Sequence, residues 1–140
     1  DSNTHNYRSI VSYYFREPLR GEVIVFRYPQ ATRQFFIKRI VGLPGEKVSI
    51  VKGRVHITNE AYPEGFALDE TYLDPSLLTH PDIERTLGGS EYFVLGDNRG
   101  DSKDSRFWGP LGREFITGKA VFSAWPPERF GPLPDQSVTY

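Results

Sequence analysis

The sequence predicts a β-rich fold of short strands and turns, and three observations predict it. Aromatic residues make up 14% of the chain, and 11 Pro and 13 Gly punctuate it. Aromatic and branched side chains suit a pleated, half-buried surface, whereas frequent Pro and Gly break helices and mark turns. Apolar residues fall in short runs bounded by turn residues, as in Glu91-Tyr92-Phe93-Val94-Leu95 before Gly96-Asp97, which is the pattern of strands. At 140 residues the chain is the size of one domain, residues 1–140, with no internal repeat,.

In order along the chain, the polar opening Asp1 to Asn6 gives way to strand-like Ile10-Val11 and Tyr13-Tyr14-Phe15. Arg16 to Gly21 reads as a turn, and Glu22 to Pro29 as a strand closed by proline,. Gln34 to Val41 is the next strand and ends at the turn Gly42-Leu43-Pro44-Gly45. Alternation there puts Phe36, Lys38 and Ile40 on one face and Phe35, Ile37, Arg39 and Val41 on the other. Val48 to Val51, the turn Lys52-Gly53 and Arg54 to Ile57 read as a hairpin,. Between Asn59 and Ser90 the periodicity lapses. With Pro63, Pro75, Pro81 and scattered apolar anchors, residues 59–90 read as a variable insertion with a short helical turn near Pro75 to Leu78 and no chemistry of its own. After Glu91 to Leu95 and the polar run that follows, Gly118 to Trp125 is the last strand, and beyond Pro132 the chain is expected to be loose,.

Charge and composition narrow the function. With 17 Lys and Arg against 18 Asp and Glu, the formal net charge is -1, so nothing points to a nucleic-acid partner. No cysteine is present, which excludes disulfides and thiolate metal sites. His5, His56 and His80 lie in unrelated contexts, so a zinc site or a Ser-His-Asp hydrolase has little support. No apolar run approaches the roughly 18 residues that span a bilayer. The absence of any Met, including an initiator, leads to the expectation that the chain is a fragment of a longer protein.

The most informative stretch is Gly96 to Leu111, where polar side chains are denser than an ordinary loop requires. It does not fit a calcium loop. Counting from Asp97, the third residue is Arg99, glycine falls fourth instead of sixth, and the twelfth is Trp108 instead of Glu,. A phosphate-cradling loop fails as well, for want of a glycine-rich turn ending in Lys-Ser or Lys-Thr. Lys38, between large apolar neighbours, is similarly ambiguous: an edge strand would let it reach water past its own stem. The residues alone leave an ordered hairpin loop and an edge-strand lysine as open alternatives.

Resemblance narrows both. Gly96-Asp97-Asn98-Arg99, Ser102, Asp104-Ser105-Arg106 and Trp108-Gly109 resemble the C-terminal signature of the type I signal peptidases. Lys38-Arg39-Ile40-Val41-Gly42-Leu43-Pro44-Gly45-Glu46 resembles that family's second signature, and Arg20-Gly21-Glu22-Val23-Ile24-Val25-Phe26 a strand that commonly has Asp at the position of Glu22. The tail elements Trp125-Pro126 and Arg129-Phe130-Gly131 are similar to its closing residues. The resemblance implies coiled antiparallel β-sheets with few short helices. It implies Lys38 as general base and Ser102 as the residue that orients it. It implies that Asp104 and Arg106 form an ion pair supporting the loop, together with Asp97, Asn98 and Arg99, and Phe36 and Ile37 are candidate walls of the substrate pockets. No cofactor or metal is implied.

A Ser/Lys dyad is chemically coherent here. A serine hydroxyl needs a base that is neutral at working pH, and burial can bring a lysine from about 10.4 towards 7 or 8. Phe36 and Ile40 would supply the apolar surroundings, and Ser102 would orient the amine as the third member of a triad orients its histidine. The family's nucleophile lies in a Ser-Met-x-Pro-Thr motif, and none of Ser2, Ser9 or Ser12 is followed by Pro-Thr. The serine, and the membrane anchor before it, are therefore expected upstream of Asp1, and the isolated chain is expected to be inactive. By resemblance, the parent protein removes signal peptides from secreted preproteins, on the extracytoplasmic side of a bacterial cytoplasmic membrane. It would bind an extended segment by strand addition, with aromatic residues resting on the membrane surface. The alternatives are a non-catalytic homologue acting as a binding or assembly factor in secretion or pilus biogenesis, and a maturation peptidase of the same fold with a narrow substrate.

Overall fold

A computed structural model describes residues 16–120, together with the backbone pairing of residues 11–12 and 138–139. The expectations for Ser2, His5, Ser9, residues 13–15, the last strand beyond Ala120 and the closing elements at Trp125 to Gly131 lie outside the described residues.

The described strands are β1 (Val11–Ser12), β2 (Val23–Tyr28), β3 (Ala31–Gly42), β4 (Lys47–Val51), β5 (Arg54–Thr58), β6 (Phe66–Ala67), β7 (Ile83–Thr86), β8 (Glu91–Leu95), β9 (Leu111–Gly112), β10 (Ile116–Ala120) and β11 (Val138–Thr139). One helical turn, α1 (Ser105–Trp108), and a 3-10 turn at Arg113–Phe115 complete the described elements. The expected mostly antiparallel β fold with little helix is what forms.

The larger sheet has the order β1-β10-β2-β3-β8-β9, and the smaller one β6-β5-β4-β7. All these pairings are antiparallel, while β11 joins β3 in parallel. Strand β3 is central: it pairs with β2 from Phe35 to Arg39 on one side, and with β8 from Arg39 onward on the other. The edge-strand reading of Lys38 therefore does not hold. The β8 ladder stops at Arg39, and β11 takes the stretch before it, with Val138 opposite Phe35 and Thr139 opposite Phe36.

Alternation along β3 divides the core as the sequence pattern requires. Phe36 and Ile40 join Ile24, Phe26, Tyr92, Val94, Leu111 and Ile116 in one cluster. Val41 joins Val48, Ile50, Val55, Ile57, Leu87, Phe93 and Leu95 in the second, which lies between the two sheets. Residues 59–90, read from the sequence as a variable insertion, form strands as well as turns. They contribute β6 and β7, the two outer strands of the smaller sheet. No helical turn forms near Pro75; instead Asp74 accepts hydrogen bonds from the Ser76 amide and hydroxyl and closes a turn, an arrangement that short polar side chains favour over helix.

Candidate active site

Lys38 is placed by its strand, because the alternation that buries Phe36 and Ile40 carries their intervening neighbour to the same face. Its side chain is 1% exposed. The Nζ lies 3.0 Å from Ser102 Oγ and 5.6 Å from the centroid of the Phe36 ring. Burial pushes the amine below the ordinary lysine value of 10.5; the Asp104 carboxylate opposes the shift, Arg106 reinforces it and Asp101 opposes it. Desolvation penalises the charged form, and two carboxylates do not fully offset it.

Ser102 can approach so closely because of Gly96, where β8 gives way to the loop. A Cβ at Gly96 would fall on Ser102 Oγ, and within 2.6 Å of Ser102 Cβ and 3.4 Å of Lys38 Nζ. Any larger residue would push Ser102 off the amine.

The loop itself is held by buried charge. Asp104, fully buried, caps α1 by accepting from the Arg106 amide, and its other oxygen accepts from the Gly96 amide at 3.0 Å. Arg106 meets Asp104 side by side, with Nε and NH2 each 2.9 Å from a carboxylate oxygen. Its NH1 donates to the carbonyls of His80 and Arg99. Paired guanidinium and carboxylate planes satisfy each other in two parallel bonds, so geometry is fixed as well as charge. Ser105 ties the same turn to the sheet by accepting from the Val94 amide at 2.9 Å.

Asp97 and Arg99 take part differently. Asp97 pairs with Arg39, the neighbour of Lys38, at 2.9 and 2.7 Å, so strand and loop are clamped one residue from the amine. Arg99 donates from Nε to the Gly96 carbonyl at 2.8 Å, and from its terminal nitrogens to Glu70 and Thr79. Asn98 is exposed, and its carbonyl accepts from the Asp101 amide. Phe36 is buried and stacks on Tyr28 with ring centroids 4.3 Å apart. Ile37 is buried on the opposite face. His56 sits in β5 and His80 is exposed, neither in contact with the Lys38–Ser102 pair.

Sequence reasoning passed over Gly96's steric role, Arg39, Ser105, and the trio Glu70, Tyr72 and Thr79. Arg39 carried a signal, since it follows Lys38 and faces the other way. Glu70 and Thr79 carried none, because their partner is far along the chain.

Residues 2–125 match the family described as signal peptidase, peptidase S26. The chain belongs to that family. It is 40% identical over 133 residues to a signal peptidase I of Leptolyngbya laminosa, covering 88% of this chain and 61% of that protein. It is 38% identical to a probable signal peptidase I-2 of Synechocystis sp., covering 91% of this chain and 57% of that protein. A thylakoidal processing peptidase 1 of Arabidopsis thaliana is 33% identical, with 92% of this chain and 39% of that protein covered. A crystal structure of a signal peptidase I from Enterococcus faecalis aligns with a TM-score of 0.64 at 28% identity, over 77% of this chain and all of that one. This S26 chain thus spans about 60% of the length of the first two relatives.

Proposed function

We propose that this S26 chain is the catalytic domain of a serine endopeptidase that removes signal peptides from secreted preproteins. The observation that carries the proposal is Lys38, buried to 1% exposure and hydrogen-bonded to Ser102 Oγ at 3.0 Å. A structural domain gains nothing from an amine whose burial lowers its pKa. A base needs that shift. Lys38 takes the proton of the attacking serine and later passes it to the leaving amine, while Ser102 fixes the direction of the Nζ lone pair. Water then clears the acyl-enzyme. The nucleophile is assigned to the parent protein upstream of Asp1, in keeping with relatives longer than this chain, so that the chain alone is inactive.

Strand β3 offers the docking edge. Beside Phe35 and Phe36, short of Lys38, it accepts a parallel strand, and β11 of this chain occupies that place. An extended preprotein segment takes the place of β11 there by main-chain pairing, with Phe36 and Ile37 shaping the pockets for small side chains. Phe107, 64% exposed in the turn after Arg106, supplies an apolar contact for a membrane surface. The domain is placed on the extracytoplasmic side of a bacterial cytoplasmic membrane.

The test is cleavage of a preprotein bearing small residues one and three positions before the cut. The parent protein is expected to cleave it at that bond, its Lys38→Ala variant to lose the activity, and the rate to rise with pH as Lys38 loses its proton. An unaltered rate in Lys38→Ala, or no cleavage by the parent protein, would discard the reading in favour of a binding or assembly factor.

A further inference from the structure

The loop that carries Ser102 has little backbone of its own to place it. Between Gly96 and Ser102 its main-chain bonds are local, from the Arg99 amide to the Asp97 carbonyl and from the Asp101 amide to the Asn98 carbonyl. Its position is set by side-chain bonds, and the Arg39–Asp97 pair ties it to β3. The Gly96 amide is held by Asp104 and the Gly96 carbonyl by Arg99 Nε. Gly96 is in turn the residue against which Ser102 rests. Whatever fixes the Arg99 guanidinium therefore fixes Ser102 Oγ.

That guanidinium is fixed from residues 70–79. Glu70 accepts from NH2 at 2.6 Å and from NH1 at 3.2 Å, and Thr79 Oγ1 accepts from NH1 at 2.9 Å. The Arg99 side chain is fully buried and the Glu70 side chain 15% exposed. Tyr72 donates its hydroxyl to Glu70 Oε1 at 3.0 Å. The same tyrosine ring lies under Arg39, with the guanidinium carbon 3.9 Å from its centroid, and Arg39 is the neighbour of Lys38 that clamps Asp97. One short segment thus grips both halves of the pair, the strand bearing the amine and the loop bearing the hydroxyl.

We propose that Glu70, supported by Tyr72 and Thr79, is a positioning residue that sets the Lys38–Ser102 contact through Arg99 and the Gly96 carbonyl. Glu70 touches no reacting atom. It keeps the buried guanidinium aimed at one carbonyl, since an Arg deprived of its carboxylate turns towards other acceptors or water. Only the kinetic arm of the test below rests on the peptidase proposal.

The first arm uses the 140-residue chain and asks how fast Lys38 is acetylated in competition with the exposed lysines, read by mass spectrometry. The groups that bear on its reactivity are Asp104, Asp101 and Arg106, and all are left in place. Glu70→Ala is expected to raise Lys38 labelling severalfold, as Ser102 withdraws and water reaches the amine. Glu70→Gln, which keeps an acceptor for Arg99, is expected to return it towards the parent value. Glu46→Ala is the control for a merely structural loss. Glu46 is a buried carboxylate held by Arg20 at 2.6 and 2.8 Å, and its removal is expected to lower Tm without changing Lys38 labelling. If Glu70→Ala folds poorly, Thr79→Val and Tyr72→Phe carry the same test with smaller effects.

The second arm measures turnover by the parent peptidase, where Glu70→Ala is expected to lower kcat about tenfold per folded molecule with KM unchanged. Unchanged labelling in folded Glu70→Ala, or an equal rise in Glu46→Ala, overturns the proposal. Raised labelling with a parent protein that cleaves nothing would leave the brace standing and remove the peptidase reading instead.

Discussion

The β4–β5 hairpin and the Gly96–Trp108 segment are held together by opposite means. In the hairpin, Val48, Ile50, Val55 and Ile57 alternate inward and are almost completely buried, so its order comes from apolar burial, which is strong but indifferent to direction. In the Gly96–Trp108 segment the buried side chains are Arg99, Asp104, Ser105 and Arg106. Desolvated charge costs stability and is tolerated only when every donor meets an acceptor in one geometry. The hairpin is therefore replaceable in detail and chemically blank. The polar segment is unforgiving, and that property is what a site needing an amine 3.0 Å from a hydroxyl requires.

The comparison breaks first at Arg106. Arg106→Ala leaves Asp104 buried without its guanidinium, and urea denaturation is expected to show a loss of about 4 kcal/mol, the usual range for half of a buried pair. A loss under about 1 kcal/mol would mean that water or a neighbour replaces the guanidinium, and that the segment is not held by this pair. Next comes the hairpin. Ile57, wholly buried between the sheets, is expected to cost about 3 kcal/mol on replacement by Ala. Acetylation of Lys38 in the folded fraction should stay at the parent rate. A faster rate would show that the two regions are mechanically coupled.

Lys38 sharpens the contrast, because it is the polar segment's partner placed on an apolar strand. Its folded pKa lies below the ordinary 10.5, so the unfolded chain binds more protons between the two values and stability rises with pH across that window. The cost of burying Lys38 is full below the folded pKa and gone above 10.5. Lys38→Met is expected to stabilise the chain by about 1 kcal/mol at neutral pH, with the gain shrinking as pH approaches 10.5, and to abolish turnover in the parent protein. A gain constant with pH would assign the effect to packing instead of charge.

What was legible in the sequence divides along the same line. The hairpin, β8 and the alternation of β3 follow from local periodicity and turn residues, so Val48 to Ile57 and Glu91 to Leu95 could be placed without a partner in view. Strand β3 runs further towards Ala31 than its apolar residues suggested, because Ala31 pairs with Tyr28 although residues 31–34 are little buried. Lys38 and Ser102 were recognisable only through motif resemblance, since nothing local says that residues 64 positions apart meet. Residues 59–90 were the least legible. Their strands are short, and Glu70 acts on an arginine 29 residues away, a contact that periodicity cannot encode.

The smallest expected effect lies at the hairpin's tip. Val51 faces Arg54 across Lys52 and Gly53, and both turn residues have positive φ, +50° and +81°, as the favoured two-residue hairpin turn demands. Gly53 suits its place doubly, since a Cβ there would meet Leu78 at 2.7 Å. Lys52 does not suit its place, because a side chain with Cβ and a long stem is strained in the left-handed region, where Asn is tolerated. Lys52→Asn is expected to raise stability by about 0.5 kcal/mol, read as a small increase in Tm. Lys38 labelling and turnover in the parent protein should both stay unchanged. Tuning the apolar region then alters how firmly the scaffold stands and leaves the chemistry alone. A change in turnover from this remote turn would show instead that the hairpin transmits strain to β3, and the division of labour between the two regions would have to be given up.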